Sequence, residues 1–514
     1  MMRESARGAW SGCERVLDVP FGAALNPLRH LGALAFLFFW LIALSGVYLY
    51  AVLDTSVEGA WRSVDDLSRK QWWFGGLLRS LHRYAADAFV LVAGLHLLRE
   101  WLFGHYRGFR RYSWLTGVPL LLFALICGIG GFWLKWDQLG QFSATATAEL
   151  LDWLPIFGSP FTRNFLVAEA VSDRLFSLFV FVHIGASLLL LFLAWFHVQR
   201  ISHAQMLPPK RLAAGSTATL LVLALLAPVM SQAPADLSVV QGAMAIDWLL
   251  LAVHPLMYAT SPGWVWALSA GALLLLFSLP FMTRAARPAV ARVDAAHCNG
   301  CRQCFDDCPY AAITMQPHPD GRPGKEIALV HADLCASCGI CTGACPPSTP
   351  FRSIEPLTTG IDMPQAPISV LRGQLETRLA ALCGDRRIVV FGCDHGARVG
   401  TMESADVVAF SLLCTGMLPP SFVEYAMRCG ATGVLVTGCA EGGCEFRLGT
   451  RWTGERLLGL RQPRLRARVP RERLRVVWAG RGDERSLRDA LDALRDLPAP
   501  AMARATGRPR RRVR

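Results

Sequence analysis

Two apolar stretches of this chain each carry two histidines fourteen residues apart, and that interval constrains the fold more than any other feature. One reads LHRYAADAFVLVAGLH, with His82 and His96; the other reads FVHIGASLLLLFLAWFH, with His183 and His197. On a helix, fourteen residues return to within about 40° of the same face and climb roughly 21 Å. Each helix therefore presents one stripe with an imidazole near either end. An ionisable residue inside an apolar span is costly and normally functional. One such histidine reads equally well as a satisfied interhelical hydrogen bond; two helices repeating the same interval do not.

These are two of six apolar stretches, at about 31–53, 81–98, 113–134, 175–198, 214–231 and 264–283. Each has a length that spans a bilayer as a helix. The composition agrees, with 53% hydrophobic and 18% charged residues. A further stretch, 243–259, contains Asp247, His254 and Pro255 and reads as a short interfacial helix. Ten basic residues fall in the loops 99–111, 200–211 and 284–292, Arg284 and Arg287 among them. The alternate loops hold four: Arg62, Arg69, Lys70 and Arg163. That asymmetry places the first group, and with it both termini, in the cytoplasm. The net charge of +13 is thereby explained by topology, with no aromatic-interleaved basic stretch to suggest nucleic acid. The tail 504–514, with six arginines, suits anionic lipid headgroups on the same face or is simply solvated.

Two facing helices with this spacing can grip two stacked haems, each iron held by one imidazole from each helix. A complete span lies between the second and fourth stretches, so they run parallel. The pairs are then His82 with His183, on the periplasmic side, and His96 with His197, on the cytoplasmic side. Glycine repeats the interval, at Gly32 and Gly46 on the first span and at Gly117 and Gly131 on the third. Glycine on a helix face admits close approach of a partner, here a porphyrin edge.

With NPLRHLGAL at 26–34, RSLH at 79–82 and GFWLKWDQ at 131–138, these features make residues 28–283 resemble cytochrome b of the bc/b6f family. The resemblance implies two b haems of unequal potential, Arg79 and Arg99 as partners of haem propionates, a quinone substrate and a homodimer. The family's Pro-Glu-Trp-Tyr quinol motif aligns with Ile246-Asp247-Trp248-Leu249, which retains a carboxylate in Asp247. Its Pro-Trp-Gly-Gln segment is Lys135-Trp136-Asp137-Gln138 here. These departures favour a simple quinone site over a bifurcating one.

Residues 298–309 read CNGCRQCFDDCP and 335–346 read CASCGICTGACP. Both are C-x2-C-x2-C-x3-C-P, the spacing of two-cluster bacterial ferredoxins, in which the fourth cysteine of each run crosses to the other cluster. One [4Fe-4S] cluster falls to Cys298, Cys301, Cys304 and Cys345, the other to Cys335, Cys338, Cys341 and Cys308. Zinc is the competing reading of paired CxxC motifs, and the tripled, repeated run argues against it.

Four β-rich runs follow at 387–393, 406–414, 433–439 and 474–480, with helix-like stretches between them, implying an open parallel sheet. Three of them end in Cys393, Cys414 and Cys439, and Cys444 follows nearby. Such sheets bind ligands at the carboxyl ends of their strands. Four thiolates there suit a [2Fe-2S] cluster, zinc or a redox disulfide. The segment resembles the delta subunit of methyl-viologen-reducing hydrogenase through FGC, CTG and GVLVTGC, although one family cysteine falls at Gly396. The resemblance implies [2Fe-2S] and a heterodisulfide-reductase-like, hydrogenase-like or flavoprotein electron-transfer partner.

The expected fold is multi-domain: an α-helical transmembrane bundle of six spans, a ferredoxin-like two-cluster α+β domain, then an α/β open parallel-sheet domain. Its parts are a cytoplasmic N-terminal segment (1–28), a cytochrome b-like four-helix di-haem bundle (29–212) and two further membrane helices with an interfacial segment (213–288). The ferredoxin-like domain (289–350), a linker (351–383), the iron–sulfur α/β domain (384–482) and a C-terminal helix with a basic tail (483–514) follow. The expected role is electron transfer in the cytoplasmic membrane between iron–sulfur clusters and quinone through two b haems, as an oxidoreductase subunit. The rival role is a non-catalytic anchor and electron wire.

Overall fold

Sixteen cysteines and four paired histidines demand scaffolds of two kinds, and the chain supplies both. The computed structural model describes residues 2–156, 160, 166, 171–239, 244–282, 289–321, 324–351, 357–383 and 386–498. Arg163, Arg284, Arg287 and the basic tail lie outside the described residues. Two units result, Met1–Arg200 with Ala204–Ala285, and Ile201–His203 with Ala286–Arg514.

The first unit is helical. Its helices are α1 (Met2–Phe21), α2 (Leu31–Val52), α3 (Gly59–Arg69), α4 (Leu77–Leu102), α5 (Arg111–Trp133), α6 (Gln138–Asp152), α7 (Asp173–Gln199), α8 (Lys210–Leu226), α9 (Val253–Ala259) and α10 (Pro262–Ser278). Among the described residues three helical stretches are long and apolar enough to cross a membrane: α2, Gly108–Trp133 and α7, with mean hydropathies of 2.1, 2.1 and 2.4. Helix α4 has 26 residues but carries Arg79, Arg83, Asp87, Arg99 and Glu100 among its apolar side chains. Helices α8 and α10 have 17 residues each, about 26 Å of rise against a hydrocarbon layer of about 30 Å. Helix α2 packs along α4, and α5 along α7.

Two connections expected as loops contain helices. Helix α3 turns Ala60 and Leu67 inward, and Asp137 caps α6 by accepting a 2.9 Å hydrogen bond from the Gly140 amide. Among the described residues of the stretch 243–259 the helix is confined to α9, with Pro255 in its first turn, where a missing amide donor costs nothing.

The second unit opens with β1 (Arg292–Val293), α11 (Gln303–Asp307), β2 (Ile313–Pro317), β3 (Glu326–Val330), α12 (Ile340–Ala344) and β4 (Ile361–Asp362). It continues with α13 (Ile368–Ala380), β5 (Ile388–Cys393), β6 (Val407–Leu412), α14 (Ser421–Arg428), β7 (Gly433–Gly438), α15 (Gly449–Leu457), β8 (Leu474–Trp478) and α16 (Glu484–Arg495). Strands β5 to β8 form one parallel sheet in the order β6-β5-β7-β8. Every residue of the two central strands is buried, as continuous apolar runs in a sheet covered on both faces require. One face packs Leu371, Leu375, Phe422 and Val423, the other Leu487, Leu491 and Leu494 of α16.

Within 351–383, expected as a linker, the described residues from 357 onward are integral to this unit. Strand β4 pairs with β1 of the cysteine-rich region, and α13 buries Ile368, Leu371, Leu375 and Leu379 in the core of the parallel-sheet region. Those four recur at helical spacing, so one amphipathic face drives the helix onto the sheet.

Candidate functional site

In the first unit the four histidines sit opposite the four glycines named from sequence, one to one. A Cβ built on Gly46 would stand 3.1 Å from Cε1 of His82; one on Gly131, 3.2 Å from His183; one on Gly117, 3.1 Å from His197; one on Gly32, 3.4 Å from His96. The glycines therefore make room for imidazoles, and any larger side chain would push the ring off its axis. The rings of His82 and His183 have centres 6.5 Å apart. Two imidazoles each bound about 2 Å from one metal would have ring centres roughly 6 Å apart. His96 stands near enough to His197 to act on it electrostatically, so the register is the parallel one.

The ring hydrogen bonds fit the same use. Nδ1 of His82 donates to the Ile42 carbonyl at 3.0 Å, with Ser45 Oγ 3.1 Å away. Nδ1 of His183 donates to the Cys127 carbonyl at 3.0 Å. Thr116 Oγ1 lies 3.1 Å from Nδ1 of His197. An Nδ1–H held by a carbonyl fixes the tautomer and leaves Nε2 with its lone pair free for a metal. Ile42, Ser45, Thr116 and Cys127 were missed from sequence. Ser45 beside Gly46 and Thr116 beside Gly117 form a repeated polar–glycine pair that could have revealed two of them.

The other residues named for this unit are engaged by protein groups. Buried Arg79 donates to Ser68 Oγ at 2.8 Å and to Ser231 Oγ at 3.0 Å. Arg99 pairs with Glu14 at 3.1 Å and lies over Phe103. Asp247 forms an ion pair with Arg83, which also pairs with Asp87, and its other oxygen accepts from the Leu250 amide at 2.6 Å. Arg83 was missed, although Arg83 and Asp87 at i,i+4 beside His82 mark a charged stripe. Asp137 is fully buried, bound to Lys135 at 2.8 Å and to the Gln232 amide at 3.0 Å.

In the second unit the two cysteine runs adopt one local geometry. The third and fifth residues of each run are left-handed: Gly300 (φ 68°) and Arg302 (φ 63°) in the first, Ser337 (φ 58°) and Gly339 (φ 72°) in the second. Such alternation curls the backbone and turns successive amides inward, suiting an anionic group. A one-turn helix follows each, α11 or α12, with the third cysteine as its second residue. A small cavity is lined by Cys298, Cys301, Cys304 and Cys345, the first set named from sequence. The electrostatic neighbours of Cys338 are Cys308 and Cys335, and Cys341 stands near all three, the second set. Burial first, then neighbouring thiolates, pushes Cys304 up to about 12; burial pushes Cys345 up to about 11. A metal binding there would have to displace protons.

Cys393, Cys414, Cys439 and Cys444 converge at the carboxyl ends of the parallel strands. Cys393 and Cys439 have their sulfurs 3.9 Å apart, and hydrogen bonding within the group ties Cys444 to both Cys414 and Cys439. Shared protons draw Cys393 down to about 3 and push Cys414 and Cys439 up. At Gly396 a Cβ would lie 2.7 Å from the Gly438 carbonyl oxygen, so the backbone has closed over this position. Among the described residues no three His, Cys, Asp or Glu side chains close on a single metal ion. Cys13 and Cys383 are exposed.

Comparison with known proteins follows these divisions. Residues 16–206 match the family model of cytochrome b/b6/petB, residues 297–349 that of the 4Fe-4S dicluster domain, and residues 387–496 that of the methyl-viologen-reducing hydrogenase delta subunit. A solved chain titled "Hyperthermophilic respiratory Complex III" aligns with a TM-score of 0.40 and 20% identity, over 50% of this chain and 76% of that one. From its N-terminal side onward, the chain thus carries a cytochrome b/b6 segment, a 4Fe-4S dicluster segment and a hydrogenase delta-subunit segment, in that order.

Proposed function

We propose that this protein carries electrons between cytoplasmic iron–sulfur clusters and the membrane quinone pool by way of two b haems. The observation that carries the reading is the one-to-one seating of four histidines against four glycines on two helix pairs. His82 with His183, and His96 with His197, would hold the haems, with Gly32, Gly46, Gly117 and Gly131 clearing the rings. Cys298, Cys301, Cys304 and Cys345 would hold one [4Fe-4S] cluster, and Cys335, Cys338, Cys341 and Cys308 the other. Cys393, Cys414, Cys439 and Cys444 would hold a [2Fe-2S] cluster. These groups, when bound, supply the one-electron chemistry. The protein's own contribution is to fix imidazole tautomers through Nδ1 and to gather the thiols in close sets.

The reading includes six spans, with α4, α8 and α10 joining the three more apolar stretches, and both termini in the cytoplasm. It includes a soluble partner of the heterodisulfide-reductase, hydrogenase or flavoprotein type, and a homodimer. A redox titration of the purified chain, followed by optical and EPR spectra, tests it. The expected result is two bis-histidine haems and three clusters; a colourless preparation overturns it.

A second reading, an anchor and wire with no quinone site of its own, is favoured by Asp247. Its carboxylate is held by Arg83 and by backbone amides, which suits a structural lock. Addition of a quinol analogue decides: reduction of the haems supports the first reading, and unchanged haems support the second.

A further inference from the structure

Arg456, in α15, is the most deeply buried charge among the described residues of the second unit, at 0% exposure. Its Nη1 donates to the Gly416 carbonyl at 2.7 Å and its Nη2 to the Ile340 carbonyl at 3.4 Å. Nη2 also forms an ion pair with Asp307, itself 2% exposed, and Nε has no hydrogen-bond partner among the described residues. Each contact adjoins a cysteine: Asp307 precedes Cys308, Ile340 precedes Cys341, and Gly416 lies two residues after Cys414. The guanidinium thus stands at the seam between the dicluster region and the parallel-sheet region. The seam is tight, since a Cβ on Gly343 of α12 would collide with the Gly416 carbonyl and come within 2.7 Å of Arg456. Trp452, one turn earlier, donates from Nε1 to the Asp307 carbonyl at 3.1 Å.

Burying an arginine is costly even beside a carboxylate, and Asp307 is divided between Arg456 and Arg461, which also pairs with Glu455 at 3.0 Å. A hydrophobic side chain would close the seam at less cost, so the charge has a use beyond packing. Thiolate-bound iron gains negative charge on reduction, and nearby net charge is among the determinants of its potential. On the reading proposed above, we infer that Arg456 is a shared counter-charge for two clusters. These are the one held by Cys335, Cys338, Cys341 and Cys308 and the one held by Cys393, Cys414, Cys439 and Cys444. The guanidinium stabilises the reduced form of both and holds their potentials together across the seam. The cluster of Cys298, Cys301, Cys304 and Cys345, whose cavity contains none of these residues, escapes its influence. Arg456 is a positioning and tuning residue and touches no substrate.

The test is an EPR-monitored redox titration of the full chain, preceded by iron and sulfide analysis. Arg456→Gln should lower both midpoints so that the reduced-to-oxidised ratio at fixed potential falls about tenfold, or about 59 mV for a one-electron couple. The third midpoint should move far less, and Arg456→Lys should restore most of the shift. Asp307→Asn should move the Cys335-type cluster in the opposite direction, upward. This shape-conserving variant decides the matter if Arg456→Gln fails to assemble. Unmoved midpoints in variants that retain three clusters overturn the inference alone, as does an equal shift of all three. If the wild-type chain lacks the clusters, the functional reading falls and this inference with it.

Discussion

On the proposed reading, the histidine bundle and the cysteine-rich unit solve one problem, holding a reactive metal group, with opposite economies of chain. In the bundle each proposed pair joins residues about a hundred positions apart, and the helices act as rulers: a fixed rise sets depth, and glycine clears the space. In the dicluster region three of the four ligands proposed for each cluster lie within seven residues, and left-handed turns do the placing. A ruler tolerates change between its marks, whereas a wrapped loop tolerates almost none.

The strongest way to break this contrast is to delete a ligand. His183→Ala should abolish one haem while leaving the other, halving the α-band absorbance, because the two pairs share no residue. Cys341→Ser should instead disturb both clusters in EPR, because Cys341 stands beside Cys304 as well as its own set. The glycines give the next largest effect. Gly131→Ala presses on an imidazole edge that can tilt, costing about 1 kcal/mol, whereas Gly343→Ala presses on a carbonyl that cannot, costing about 3 kcal/mol. Thermal melts of the two variants check the order.

Ser45→Ala removes a supporting contact while the Ile42 carbonyl still holds Nδ1 of His82. Haem affinity should fall by about tenfold or less, read by competition with apomyoglobin. The smallest effect lies far from either site. The hydrogen bond from Arg495 draws Asp406 down to about 2, below its ordinary value near 4. The pair's contribution is therefore full above pH 4 and lost as pH falls towards 2. Asp406→Asn should cost about 1 kcal/mol at pH 7 and progressively less as pH falls through 2, as acid titrations of both chains would report.

The intervals of His82, His96, His183 and His197 and the eight-cysteine pattern were legible because periodicity and spacing are written in the chain itself. The four parallel strands were legible too, each being an apolar run closed by cysteine or glycine. The carbonyls of Ile42 and Cys127 were not, since backbone acceptors carry no residue identity. Arg456 was hidden for another reason: an arginine on a polar helix reads as solvated until the fold closes over it. Helix α13 lay behind the proline- and threonine-rich run before it, although Ile368, Leu371, Leu375 and Leu379 marked one face.

The matched left-handed positions in the two cysteine runs carry a consequence for assembly. Each run spends one glycine and one ordinary side chain on them, in swapped order, so Arg302 and Ser337 each sit in a conformation disfavoured by about 1–2 kcal/mol. Without iron to reward that posture, both loops would gain by uncurling. On the reading proposed above, folding of this region and acquisition of its inorganic cargo are a single event, and a chain made under iron starvation should leave these two loops open to protease while the parallel sheet stays shut.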